Sequence, residues 1–229
     1  MKEYLFSPSE LDYKPKCKRC FYLLKKHKLS LGDFPPPVFS SFDVVQKNYF
    51  LNKNTSDVTD QLPSGKFLTD LPGRITSSDL KDNKGRSYSL FGAPDLVVQF
   101  DQGGYGIIDF KTTNLSETKS DNYKFQLEAY AQIFANPGAT KSKVTPKLVP
   151  VTHMGIAQFF PEKIFSHTKD ECDLKLKMLY SPQPRIEKEF NNLITNLIDL
   201  LEETEIPKHD ENCKYCKFAL KNIKDFSDA

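Results

Sequence analysis

The stretch that most restricts this chain runs from Ser89 to Tyr130, SLFGAPDLVVQFDQGGYGIIDFKTTNLSETKSDNYKFQLEAY. It reads as two strands joined by a tight turn, then a loop, then a helix. The turn is Asp101-Gln-Gly-Gly104, and glycine pairs between apolar runs are hairpin chemistry. Asp109 and Lys111 stand two residues apart on the second strand, so both side chains leave one face. A hairpin folds that strand back beside the start of the first, where Pro94-Asp95 lies. Two carboxylates and an ammonium then share a small volume. Carboxylates so placed repel unless a cation holds them, and an oxygen donor set suits Mg²⁺ or Mn²⁺. Gln126 and Tyr130 are four apart on the following helix, hence on one face.

At 229 residues the chain is long enough for one sizeable core, with or without an appended lobe. Charged residues are 27% and the net charge is +2, so no global field marks a polyanion partner. Any nucleic-acid surface must be a local patch, such as Lys14–Arg19 or Lys25–Lys28, and runs of this kind also serve as solvated faces. No apolar run reaches the ~18 residues of a membrane span. The N-terminus lacks the apolar core of a signal peptide, and an intracellular, cytoplasmic protein with no membrane partner is expected. Five cysteines in such a compartment argue against a disulfide framework.

Along the chain, Ser7-Pro-Ser-Glu10 reads as a helix start that Pro15 interrupts, with a second helix beginning near Cys17 or Arg19. Leu29–Val38 reads as loop. Phe39–Asn52 reads as an amphipathic helix with Phe42, Val45, Tyr49 and Phe50 inward and Ser40 or Ser41 as cap. Residues 53–65 read as a flexible connection. Strands are expected at 74–80 and 86–91, then the hairpin, a polar loop at 114–121 and a helix from Asn122 to Asn136 ended by Pro137-Gly138. Residues 148–160 read as a buried strand and 171–180 as a half-exposed one on which Cys172 packs. A long helix spans 185–204, with Ile186, Phe190, Leu193, Ile194, Leu197, Leu200 and Leu201 on one stripe.

The second constellation is Cys17-x-x-Cys20 with Cys213-x-x-Cys216. A two-residue gap lets both thiolates reach one centre, and a shared site would staple the two chain ends. Four thiolates suit zinc or an iron–sulfur cluster. The four histidines show no ligand spacing; His153 near a strand start could approach the hairpin acids or simply pack. No glycine-rich phosphate-binding helix start is present, which excludes an NTPase motor.

Acidic strand, turn, D-x-K strand, then a helix carrying Gln and Tyr: this order resembles the PD-(D/E)XK nuclease superfamily, in its RecB-like branch, which includes CRISPR-associated RecB-like exonucleases and AddB-type nuclease domains. SPSELDYKPKCKRCFYL near the N-terminus is similar to the opening of that branch. The resemblance implies an α/β fold with a mixed central β-sheet flanked by helices, a restriction-endonuclease-like core over 66–180. It also implies a Cys-stapled helical cap from 1–52 and 185–229, all one domain. It implies Asp95 and Asp109 as metal-binding acids, the main-chain carbonyl of Phe110 as a further ligand, and Lys111 as the lysine that positions or activates water. Gln126 and Tyr130 would border the site and meet nucleic acid. The family often carries a Glu or His on an early helix; the nearest candidates are Asp43 and Gln46, and Asp43 equally fits a carboxylate facing the helix dipole. The branch often binds a [4Fe–4S] cluster through one upstream and three downstream cysteines, whereas the split here is two and two. The function implied is a Mg²⁺- or Mn²⁺-dependent DNA exonuclease, with helicase, recombination or CRISPR proteins as partners. The other reading is a non-catalytic nucleic-acid-binding or accessory subunit that keeps the fold.

Overall fold

The computed structural model describes residues 4–13, 17–29, 37–51, 53–115, 120–140 and 143–227. In chain order it holds β1 (Tyr4–Phe6), α1 (Glu10–Tyr13), α2 (Lys18–His27), α3 (Pro37–Phe50), β2 (Gly65–Phe67), β3 (Ile75–Thr76), β4 (Leu80–Lys81), β5 (Ser87–Gly92), β6 (Leu96–Phe100), β7 (Tyr105–Thr112), α4 (Lys124–Ala135), β8 (Val151–His167), β9 (Cys172–Gln183), α5 (Glu187–Glu202) and α6 (Lys214–Ser227). The expected break at Pro15 and most of the expected loops at 29–38 and 114–121 lie outside the described residues.

The fold is α/β, with two mixed sheets flanked by helices. The larger sheet has the order β2-β6-β7-β8-β9. Its pairs are antiparallel except β7 with β8, which run parallel because α4 lies in the connection between them. The smaller sheet centres on β5, which pairs with β1 in parallel and with β3 and β4 antiparallel. The β6–β7 hairpin turns on Gly103 and Gly104, whose φ values of 93° and 81° suit residues without a Cβ.

Alternation on the hairpin strands sends residues to two cores. Val97 and Ile107 join a core made with α4, α5 and the small sheet. Leu96, Val98, Phe100, Ile108 and Phe110 join a second core beneath Phe50, Val58, Leu62 and Phe67. Asp109 and Lys111 share the Ile107 face by the same period of two, so they are aimed at α4. Every residue of α4 from Gln126 to Phe134 is buried. Helix α4 is therefore a central element, and its polar side chains must find partners inside the protein.

Several expectations change here. Helix α3 begins at Pro37, a residue suited to a first helical turn, so Ser40 and Ser41 lie within it and cap nothing. Only Gln46 and Phe50 of α3 are buried, while Val45 and Tyr49 face outward. The reason is that Phe50 inserts edge-on against Phe110 and beside Phe159, and this contact sets the rotation of the helix. Residues 53–65 are not a loose connection. Asn54 and Asp57 form a capping box over a single turn, and Val58 and Leu62 are buried. Strand β8 runs beyond the expected end at 160. Past Phe159, which pairs with the last residue of β7, its only sheet partner among the described residues is β9. The resulting two-stranded ribbon is exposed on both faces, and Cys172 is exposed near its tip instead of packing.

Helix α2 packs against the segment that follows α5. The α2 residues Arg19 and Tyr22 donate hydrogen bonds to the carbonyls of Pro207 at 3.0 Å and Glu203 at 3.1 Å. Arg86, paired locally with Asp82, also ties the small sheet to α5 through Asp199 and Glu202.

Candidate active site and four-cysteine cluster

Strand β7 presents Asp109 and Lys111, and α4 answers with Gln126. The Gln126 amide nitrogen donates to Asp109 Oδ1 at 2.8 Å, and Lys111 Nζ donates to the Gln126 oxygen at 3.2 Å. Lys111 Nζ also lies 2.5 Å from Asp109 Oδ2 and 4.8 Å from the centre of the Tyr123 ring. Gln126 thus holds acid and lysine at once, as an amide with both a donor and an acceptor can.

Asp95 precedes β6, and its Oδ2 accepts the backbone N–H of Phe110 at 2.6 Å. The turn carrying it is fixed by Tyr130, whose hydroxyl donates to the carbonyl of Ala93 at 2.9 Å. Gly92 leaves room for this: a Cβ there would come 3.0 Å from the Tyr130 ring and 2.8 Å from Pro8. Burial first, and then the charge of Asp109, push the Asp95 carboxyl up to about 7, against the opposing pull of Lys47. Burial, with Asp109 again adding to it, pushes the Tyr130 hydroxyl well above its ordinary range.

Thus Asp95, Asp109, Phe110, Lys111 and Gln126 come together, and Tyr130 braces the loop behind them. Asp43 reaches the group only through Lys47, whose Nζ lies 2.8 Å from Asp43 Oδ2 and 2.8 Å from Asp95 Oδ1. Gln46 is buried and makes none of these contacts. His153 lies against the Phe100 ring and Thr152, away from the hairpin acids. Two residues were missed by sequence reasoning. Lys47 stands four residues after Asp43, a helical ion-pair spacing that can be read from the chain. Glu128 is fully buried on α4; it accepts two hydrogen bonds from Arg185, one from Gln132 and one from the backbone of Ile186.

In the cysteine cluster, all four Sγ atoms of Cys17, Cys20, Cys213 and Cys216 lie within 4.8 Å of one another. Cys17–Cys216 and Cys20–Cys213 are 3.6 Å apart and Cys20–Cys216 3.8 Å. These are contacts between thiols, not disulfides. Each C-x-x-C pair straddles a helix start: Cys17 directly precedes α2 and Cys213 directly precedes α6. The second cysteine of each pair is then the third residue of its helix, and backbone N–H groups at helix starts favour thiolates. Without an ion, burial raises the thiols of Cys17 and Cys20 above their ordinary value.

The sequence matches the family model of the PD-(D/E)XK nuclease superfamily over residues 53–220. The chain belongs to that superfamily. Among solved structures, that titled the crystal structure of SSO0001 aligns over 96% of this chain and 86% of its own, with TM-score 0.53 and 16% identity. This likeness concerns the fold alone. No protein with a curated description matches. A PD-(D/E)XK nuclease hydrolyses phosphodiester bonds, so its substrate is nucleic acid. The superfamily generally uses divalent metals, and the site fits one. Asp95 and Asp109 are mutually repelling carboxylates, and the buried Asp109 Oδ2 receives no hydrogen bond, only the Lys111 ammonium. Among the described residues no helix is long and apolar enough to cross a membrane.

Proposed function

We propose that this PD-(D/E)XK nuclease is a Mg²⁺- or Mn²⁺-dependent DNA nuclease of RecB-like type that works from strand ends. The observation that carries the reading is the contact network Asp95–Phe110 N–H, Asp109–Gln126–Lys111, in which two acids and a lysine converge at one end of β7. The RecB-like assignment is supported by residue order and by the cysteine pairs that flank the nuclease core.

Asp95, Asp109 and the main-chain carbonyl of Phe110 would hold the catalytic metal. When bound, the metal supplies Lewis-acid stabilisation of phosphate charge and lowers the pKa of a coordinated water. The protein's own groups do the rest. Lys111, held at 2.5 Å from Asp109 and 3.2 Å from Gln126, orients the attacking water and steadies negative charge developing on phosphate oxygens. Gln126 keeps Asp109 from rotating. Tyr130 pins the carbonyl of Ala93 and so fixes where Asp95 stands. Backbone contacts by local lysines give binding with little sequence preference and strong salt sensitivity. The whole chain acts as one domain, with a nuclease core over 66–180 and a cap from 1–52 and 185–229.

The cap is held by one tetrahedral ion, and we assign it as zinc. Four thiolates around zinc at ~2.3 Å lie about 3.8 Å apart; three of the pairs stand at 3.6–3.8 Å, and all four sulfurs lie within 4.8 Å of one another. A [4Fe–4S] core places its thiolates farther apart, on the order of 6 Å.

The deciding experiment is cleavage of end-labelled single- and double-stranded DNA with Mn²⁺, Mg²⁺ or EDTA. Wild type should cut only with metal, while folded Asp109→Asn and Lys111→Ala should lose at least 100-fold in rate. Full activity in either variant refutes the assignment. Folded wild type that binds DNA without cutting it supports the accessory-subunit reading, with a helicase or recombination protein as partner.

A further inference from the structure

We propose that Lys47 is the resident counter-cation of Asp95, a side chain that must leave the carboxylate before a divalent ion takes its place, and so sets the metal affinity of the site. The inference rests on the nuclease reading above. Asp95 has two oxygens and both are engaged: Oδ2 by the Phe110 N–H at 2.6 Å, Oδ1 by Lys47 Nζ at 2.8 Å. The Phe110 bond belongs to the hairpin backbone and is fixed. The Lys47 contact ends on a flexible side chain, so Oδ1 is the atom that can exchange one cation for another.

Two features make the exchange feasible. Helix α3 buries only Gln46 and Phe50, so Lys47 approaches the site from a helix seated mainly through one aromatic anchor. The ammonium also has a second partner, Asp43, 2.8 Å away and one helical turn back. Lys47 can swing off Asp95 and keep that pair. On this reading Asp43, with 44% of its side chain exposed, is the holding partner of the displaced lysine and not a metal ligand.

The need for such a cation follows from charge. Asp95 and Asp109 stand close together in a buried setting, and each has its own lysine: Lys47 on Asp95, Lys111 on Asp109. Lys111 is braced by Gln126, so it stays. Lys47 has no such brace among the described hydrogen bonds to neutral side chains. A double positive charge outcompetes a single one for two carboxylates, but only after displacing it, and the competition raises the apparent Kd.

The test is a Mn²⁺ titration of the zinc-loaded 229-residue chain, followed by the electron paramagnetic resonance signal of free Mn²⁺, with no nucleic acid present. Lys47→Gln and Lys47→Met should bind Mn²⁺ about tenfold more tightly than wild type, whereas Lys47→Arg should match wild type. Asp95→Asn should abolish the site. Asp43→Asn should weaken binding in the wild-type background and change nothing in Lys47→Gln. Thermal unfolding checks that each variant is folded. Neutral variants that bind no better than wild type overturn the inference, as does Lys47→Arg binding as tightly as Lys47→Gln. A further loss from Asp43→Asn in Lys47→Gln makes Asp43 a ligand and overturns its holding role. Failure of every variant and of wild type to bind Mn²⁺, or binding that survives Asp95→Asn, strikes the nuclease reading itself.

Discussion

Glu128→Gln tests whether α4 is held in place by a buried charge. Glu128 is fully buried, and its two oxygens take four hydrogen bonds: Nη2 of Arg185 at 2.8 Å and Gln132 at 2.9 Å on Oε1, and Nε of Arg185 and the Ile186 N–H, each at 2.9 Å, on Oε2. Breaking a buried pair from one side costs roughly 3–5 kcal/mol, because the remaining charge is stranded. Here the stranded partner is Arg185, whose side chain is 36% exposed and can rehydrate. That discounts the cost to about 2–3 kcal/mol. At this chain length each kcal/mol moves Tm by about 2–4 °C, so a fall of about 4–12 °C is expected. The pH dependence gives an independent reading. Burial pushes the Glu128 carboxyl up, but Arg185, the Ile186 N–H and Gln132 outweigh it, and the net position is below the usual glutamate range. A carboxyl depressed in the folded state stabilises fully above its unfolded value and loses that contribution as pH falls through the folded value. The gap between wild type and Glu128→Gln should therefore be complete at neutral pH and close in acid, below the ordinary glutamate range. Circular-dichroism melts across that range decide it. A Tm shift under 2 °C at neutral pH, or a gap that persists undiminished in acid, refutes the reasoning.

Other outcomes follow from particular contacts. The purified chain should carry about one zinc and no iron, Cys17→Ser or Cys213→Ser should lose the metal, and chelation should lower Tm; iron with visible absorbance near ~400 nm would refute the tetrahedral-ion assignment. Gly155→Ala should cost about 1–3 kcal/mol, because its Cβ would sit 2.3 Å from the Tyr180 ring, and Tyr180→Ala should relieve part of that penalty in the double variant. Unchanged thermal stability in Gly155→Ala would mean that the ring can move aside without loss.

What could be read from the chain, and what could not, divides along the reach of each interaction. The hairpin at Asp101–Gly104 was legible because turn chemistry is local, and the common face of Asp109 and Lys111 because a strand has a period of two. The pairing of two C-x-x-C motifs was legible because only a shared centre uses both. The orientation of α3 was not. Its apolar residues suggested an inward stripe through Val45 and Tyr49, yet Phe50 is fixed by Phe110 and Phe159, which come from distant strands. Nothing within 37–50 encodes that contact. The same limit hid Lys47: the Asp43–Lys47 spacing is visible, but its meaning depends on Asp95, which reaches α3 only once the hairpin has folded. Glu128 was hidden for another reason. A glutamate on a helix reads as solvent-facing unless the helix is known to be enclosed, and α4 is enclosed by two sheets and α5 together. The residues that sequence reasoning missed are thus those whose charge is balanced across elements. These balancing contacts also support the site, since Lys47 and Lys111 offset the charge of the two acids that the hairpin brings together, and Glu128 anchors the helix that presents Gln126 to both Asp109 and Lys111.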